Sequence, residues 1–132
     1  MLNKKAFTLV EVLVGMVIMI IVFLGTFQAI TMYVNHNLAA AIRNEAVKIA
    51  QECSEKLKNY QFCTNTSSSG DIITDHVIRK IRNVQKDFTI EYPNPFNFDD
   101  NQPNLVNIRV YYQYNGQQYV YQFSTVVYKT GS

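Results

Sequence analysis

The sequence lacks the residues on which most catalytic and metal centres depend. Its 132 residues include no tryptophan and only two histidines, two cysteines, three prolines and five glycines. Neither His36 nor His76 lies near a cysteine or carboxylate cluster at metal-ligand spacing. Glycine-rich phosphate loops and nucleophile elbows are also missing. The sequence therefore predicts a protein that is not an enzyme and that needs no cofactor.

Charge is missing from a long N-terminal stretch. No polar side chain occurs from Val12 to Gly25, and the apolar region extends from Phe7 to Val34. As a helix this region would be about 42 Å long at ~1.5 Å per residue, which exceeds the ~30 Å hydrocarbon core of a membrane. Lys4 and Lys5 precede it, which predicts a single-pass inner-membrane protein with a cytoplasmic N-terminus and an exported remainder.

One carboxylate, Glu11, interrupts the start of this apolar region. An ionised group in a membrane segment needs a partner or a function. A cleaved secretory signal peptide is disfavoured, because the apolar run is too long, ends in no small-residue cleavage site and contains Glu11. An unprocessed membrane anchor is the remaining alternative to a specialised role for this carboxylate.

The residues around Glu11 resemble a known processing site. Lys5-Ala6-Phe7-Thr8-Leu9-Val10-Glu11-Val12-Leu13-Val14 is similar to the class III leader junction of type IV pilins and type II secretion pseudopilins. The resemblance implies that prepilin peptidase cleaves between Ala6 and Phe7 and that Phe7 becomes N-methylated. It also implies that Glu11 is the assembly carboxylate, which pairs with the new amine of a neighbouring subunit. The family nearly always has glycine at the position of Ala6.

The chain divides into three predicted regions: a leader at 1-6, a membrane or filament-core helix at 7-34 and an exported head at 35-132. Helical periodicity continues beyond the membrane to about Leu57, and we expect one helix from Phe7 onwards. The residues that form its apolar face are Leu38, Ile42, Ala46, Ile49, Ala50, Cys53 and Leu57. In an oxidising compartment Cys53 and Cys63 favour a disulfide, with two unpaired thiols as the alternative.

The C-terminal half predicts a small antiparallel sheet. Residues 71-86 suit a short amphipathic helix with Asp75 as N-cap, or alternatively a strand that starts near Val77. Residues 88-92 suit a strand, and residues 105-114 and 118-129 suit a hairpin around Asn115-Gly116. We expect three or four strands to pack on the helix face that carries Ile42 and Ile49.

The predicted fold class is α+β: one long N-terminal helix, with an apolar anchor half and an amphipathic half, packed on a small C-terminal antiparallel sheet. This order is also the pilin architecture. The apolar run from Val14 to Gly25 and the closing strand segment from Phe123 to Tyr128 are most like a PilV-like minor pilin or minor pseudopilin. The resemblance implies a structural minor subunit of a type IV pilus or type II secretion-like pseudopilus, and the expected partners are other pilin subunits and prepilin peptidase.

The sequence does not favour two further ligands, Ca²⁺ and DNA. Asp99 and Asp100 offer oxygen ligands to Ca²⁺, but an ordinary solvated turn explains them as well, so no metal site is predicted. Six tyrosines crowd the last hairpin, which raises the alternative of a DNA-binding minor pilin in a DNA-uptake (competence) filament. Tyrosine is also an ordinary strand residue, and little positive charge lies nearby.

Overall fold

A computed structural model describes residues 8–66 and 68–129. The predicted leader and cleavage site, Ala6 and Phe7, lie outside the described residues. The described chain begins with α1, Leu9–Lys58, which continues through fifty residues. Two compact units divide the chain between Leu38 and Ala39, within this helix.

The first unit contains the apolar part of α1. Its side chains are exposed from Thr8 to His36, and Phe23 and Phe27 are 69% and 73% exposed. By length and composition, α1 is the one helix among the described residues that is apolar enough to cross a membrane. Exposure of so much apolar surface to water is unfavourable, so lipid or other protein must cover this part of the helix.

The second unit buries the amphipathic part of α1. The predicted apolar face is confirmed from Ile42 to Leu57, and its buried members are Ile42, Ala46, Ile49, Ala50, Cys53 and Leu57. The helix ends at Lys58, and Tyr60 follows with a left-handed φ of 56°. A disulfide joins Cys53, on the buried face, to Cys63 in the loop beyond the helix. The bond therefore ties this loop to the core.

A four-stranded antiparallel meander packs on this helical face. The strands are β1 (Ile72–Ile81), β2 (Val84–Pro93), β3 (Pro103–Tyr114) and β4 (Gln117–Tyr128), in the spatial order β1-β2-β3-β4. Asn115 and Gly116 join β3 to β4 with φ values of 50° and 75°, which confirms the predicted hairpin. The four strands also confirm the predicted α+β class.

The prediction of an amphipathic helix at 71-86 is wrong. The alternative prediction, a strand that starts near Val77, gives the correct type of element for this region. Residues in this region form β1, a turn and the start of β2, and Asp75 lies within β1 instead of at a helix start. Arg82 and Asn83 have φ values of 46° and 68°, so the chain reverses at this point. Isoleucine, valine and threonine dominate β1 and prefer the pleated surface of a sheet. His76, which lies within the region 71-86, is therefore on a strand.

Alternate strand residues face the helix and form the core. On β3, Val106, Ile108 and Val110 are fully buried. Phe88 and Tyr92 of β2 are also fully buried. The opposite face of the sheet remains exposed, which is common in antiparallel sheets.

Candidate functional site

Glu11 lies in the first turn of α1 and makes reciprocal hydrogen bonds with Thr8. The Thr8 backbone N–H donates to Glu11 Oε2 at 3.1 Å, and the Glu11 backbone N–H donates to Thr8 Oγ1 at 3.3 Å. This Thr-x-x-Glu arrangement is a capping box, which pairs two backbone N–H groups that the helix itself leaves without partners. The side chain of Glu11 is thus directed back toward the N-terminus of the chain.

Glu11 is the one carboxylate in the described part of the apolar segment. The next ionised side chain along the sequence is Arg43, beyond the apolar region. The two threonines within the apolar helix satisfy their hydroxyl groups locally: Thr26 donates to the carbonyl of Phe23 at 2.9 Å and Thr31 to that of Phe27 at 2.8 Å. Within residues 8–34, Glu11 is therefore the one carboxylate that a neighbouring cation can bind.

The geometry suits an ammonium partner. Oε2 of Glu11 accepts the Thr8 N–H, and a carboxylate has lone pairs for further donors on both oxygens. A carboxylate at a helix N-terminus also interacts favourably with the positive end of the helix dipole. An N-terminal amine from another chain would add a charge-assisted hydrogen bond.

The weak calcium candidates have other partners. Asp100 forms an ion pair with Lys129 at 2.8 Å. The Asp99 backbone N–H donates to Asn104 Oδ1 at 2.8 Å, and the Asp99 carbonyl accepts from the same amide group. These contacts close the loop before β3. Among the described residues, no group of three or more His, Cys, Asp or Glu side chains is placed to hold a metal ion.

The tyrosines of the last hairpin are divided between the two faces of the sheet. Tyr111 lies on the outer face and donates its hydroxyl to Glu91 at 3.1 Å. Tyr112 and Tyr119 face each other on the inner side and stack with ring centroids 5.6 Å apart. By the alternation of strand residues, Tyr114 and Tyr121 also belong to the inner face and Tyr128 to the outer one. The described residues give no observation that favours DNA binding.

Sequence reasoning missed a polar cluster on the outer face of the sheet. His76 Nδ1 lies 3.1 Å from Asp87 Oδ2, beside a shallow depression of about 380 Å³ that Tyr111, Gln113 and Gln118 also line. Both members of the pair are more than half exposed, so water screens their interaction. No local pattern shows this contact, because it depends on the register of β1 against β2.

Asp75 of β1 is linked by hydrogen bonds to the loop that follows α1. Hydrogen bonds from the Thr64 and Thr66 side chains, together with the His76 backbone N–H, hold the pKa of Asp75 below its ordinary value. The His76 N–H lies 2.7 Å from Asp75 Oδ1. On the same side of the sheet, Arg79 of β1 pairs with Glu45 and Glu52 of the packed helix. These polar contacts border the apolar core.

The comparisons with known proteins support the N-terminal motif. The family model of the prokaryotic N-terminal methylation motif matches residues 1–27, which include Glu11 and the capping box. Comparison with curated proteins and with solved structures found no match.

Proposed function

We propose that this chain, whose N-terminal segment carries the methylation motif, belongs to the type IV pilin and pseudopilin family. Its more specific role is that of a minor structural subunit of a type IV pilus or a type II secretion-like pseudopilus. Prepilin peptidase removes residues 1-6 and methylates Phe7. The processed subunit then waits in the inner membrane and enters a filament through the apolar part of α1. Its exported head remains outside the membrane.

The observation that carries the proposal is the isolated carboxylate of Glu11 within the matched motif. A Glu side chain near the membrane interface costs less than the ~2.5–3.5 kcal/mol quoted for a charge at the bilayer centre, but it still needs a partner. The new amine of Phe7 in an adjacent subunit supplies that partner. In the low-dielectric centre of a filament, such a pair fixes the axial register between subunits.

The energetics of transfer agree with this role. The side chains from Leu9 to Val34 are exposed in the isolated chain, and lipid covers them before assembly. Helices of neighbouring subunits would cover them afterwards, so the free energy of apolar burial changes little between membrane and filament. The free energy that favours assembly then comes from helix packing and from the pairing of Glu11.

Two features support a minor subunit. The described part of the apolar helix contains no proline and continues without interruption to Lys58, whereas major pilins often carry a proline partway along the anchor. The disulfide joins Cys53 to Cys63 at the end of the helix, whereas many major pilins close their C-terminal region with one.

Mass spectrometry of the N-terminus tests the proposal most directly. Protein purified from membranes of a host that carries prepilin peptidase should begin at Phe7 with one added methyl group. The same chain expressed without the peptidase is the control, and it should retain Met1. An intact Met1 in the presence of an active peptidase would reject the pilin assignment and favour an unprocessed membrane anchor.

A further inference from the structure

The two outer edges of the sheet differ in chemistry. β4 is an edge strand of twelve residues that contains no charged residue and no proline. β1, at the other edge, carries Asp75, His76, Arg79 and Lys80. Natural sheets usually protect an edge with charge, proline or a bulge, because its backbone groups can pair with another strand. β4 has none of these protections along its length.

The turns determine which backbone groups point away from the sheet. Each hairpin has a two-residue turn, closed by the pair Ile81–Val84 in one and Tyr114–Gln117 in the other. The closing pair is hydrogen-bonded, and bonding then alternates along antiparallel strands. Even-numbered residues of both β1 and β4 therefore direct their backbone N–H and C=O outward.

Three observed contacts agree with this assignment. The Tyr128 carbonyl points outward and accepts a hydrogen bond from the Tyr60 hydroxyl at 2.7 Å. The Val127 carbonyl points inward and accepts from the side-chain amide of Asn104, its partner on β3. The His76 N–H points outward, and the carboxylate of its neighbour Asp75 accepts it. Within the described residues, no other strand pairs with the outer edge of β1 or β4.

The exposed apolar residues on the two edges have the same spacing. On β4, Val120 and Val126 are 55% and 44% exposed, and on β1, Ile72 and Ile78 are 62% and 65% exposed. Both pairs are separated by six positions and belong to the outward-bonding set. In an antiparallel pairing, Val120 faces Ile78 in the same register in which Val126 faces Ile72. Gln122 then faces His76. Because β4 contains no charged residue, this pairing places no like charges opposite each other.

The directions of the two edge strands determine which edges can pair when two subunits have the same orientation. A meander of four strands has edges that run in opposite directions, so β4 of one copy lies antiparallel to β1 of a second copy that has the same orientation. Pairing β4 with β4 across a two-fold axis would instead reverse the packed part of α1 in one copy. This step rests on the proposed function, in which all subunits share one membrane and one filament direction.

We propose that β4 binds the β1 edge of a second copy of this chain, with Val120 opposite Ile78 and Val126 opposite Ile72, to form a continuous antiparallel sheet between heads. The Gln122 carbonyl takes the place of the Asp75 carboxylate as acceptor for the His76 N–H of the second copy. This contact supplements the helix packing and gives the head a defined neighbour.

Cysteine cross-linking in membranes tests the register with the full-length chain. Two differently tagged chains are co-expressed, one with Val120→Cys and the other with Ile78→Cys, and oxidised with copper phenanthroline. Directly paired strand residues have Cα atoms ~5.5 Å apart, within the range that a disulfide spans. We expect a cross-linked dimer that contains both tags, and a second one from Val126→Cys with Ile72→Cys.

Mismatched combinations are the control, since they use the same four variants. Val120→Cys with Ile72→Cys, and Val126→Cys with Ile78→Cys, are offset by six residues, or about 20 Å along the strands. They should give no dimer. Dimers in the mismatched combinations, dimers of Val120→Cys alone, or no dimer in any combination would each overturn the proposal. The N-terminal mass is read from the same samples, so a failed contact is distinguished from a failed pilin assignment.

Discussion

Thr8 and Glu11 cap the first turn of α1 by exchanging hydrogen bonds between each side chain and the other's backbone N–H. The same carboxylate is the proposed partner of a neighbouring amine. Glu11 therefore has two separable properties, a hydrogen-bond acceptor that completes the helix and a negative charge that another subunit can bind.

Replacing Glu11 with glutamine removes the charge and retains the cap, because glutamine also serves at the third position of a capping box. Replacing it with alanine removes both. We expect Glu11→Gln and Glu11→Ala to insert into the membrane and to be processed, and neither to enter filaments. Immunoblots of sheared filaments and membranes measure the distribution. Wild-type incorporation of Glu11→Gln would show that assembly needs the acceptor and not the charge.

Changing Ala6 to glycine should increase the rate of leader cleavage. The chain has alanine where the related leaders nearly always have glycine, and glycine removes the one methyl group at the scissile position. A pulse-chase experiment with a limiting amount of prepilin peptidase measures the processed fraction over time. Ala6→Leu, which enlarges the side chain, is the matched control and should block cleavage. Equal rates for alanine and glycine would mean that this position does not limit processing.

Removing the disulfide should destabilise the head. The Cys53–Cys63 bond closes a loop with a sequence separation of 10, and the chain-entropy model gives about 2–3 kcal/mol for a loop of this size. We expect Cys53→Ala/Cys63→Ala to lower the free energy of unfolding by that amount in denaturant titrations of the detergent-solubilised chain. A reductant should produce the same loss in the wild type and no further loss in the double variant.

Acid should weaken the attachment of the loop to β1 through Asp75. Its pKa is lowered in the folded state by the Thr64 and Thr66 side chains, so the folded carboxyl binds a proton less readily than the unfolded one. The stabilisation is present above the unfolded pKa and is lost as the pH falls through the folded pKa. Melting temperatures measured between pH 6 and pH 2 should fall more steeply for the wild type than for Asp75→Asn. Parallel curves would contradict this assignment.

Several local features of the fold could be predicted because the sequence signals were strong and self-contained. Asn115-Gly116 predicts the β3–β4 turn, since both residues tolerate positive φ, and the periodicity from Ile42 to Leu57 predicts the buried helical face. The capping box was also readable, because Thr8 precedes Glu11 by three positions.

The region of β1 could not be predicted reliably for a physical reason. Val77, Ile78, Ile81 and Val84 fit a helical face as well as they fit strands, and a short apolar pattern alone does not distinguish the two. The decision comes from pairing with β2 and from the reversal at Arg82 and Asn83. The position of His76 beside Asp87 follows from this pairing, and that of Arg79 beside Glu45 follows from the packing of α1 on the sheet. Neither contact has a sequence signature.

The sequence alone determined the long helix, its apolar half, the isolated Glu11 and the last hairpin, because each depends on residues close together in the chain. The tertiary structure decided the order of the strands, the division of the tyrosines between two faces and the identity of the exposed edges. Those properties depend on contacts between residues far apart in sequence, where strand register sets which side chains and backbone groups remain outside. The spacing of Val120 and Val126 became informative only when β4 was found at the edge of the sheet.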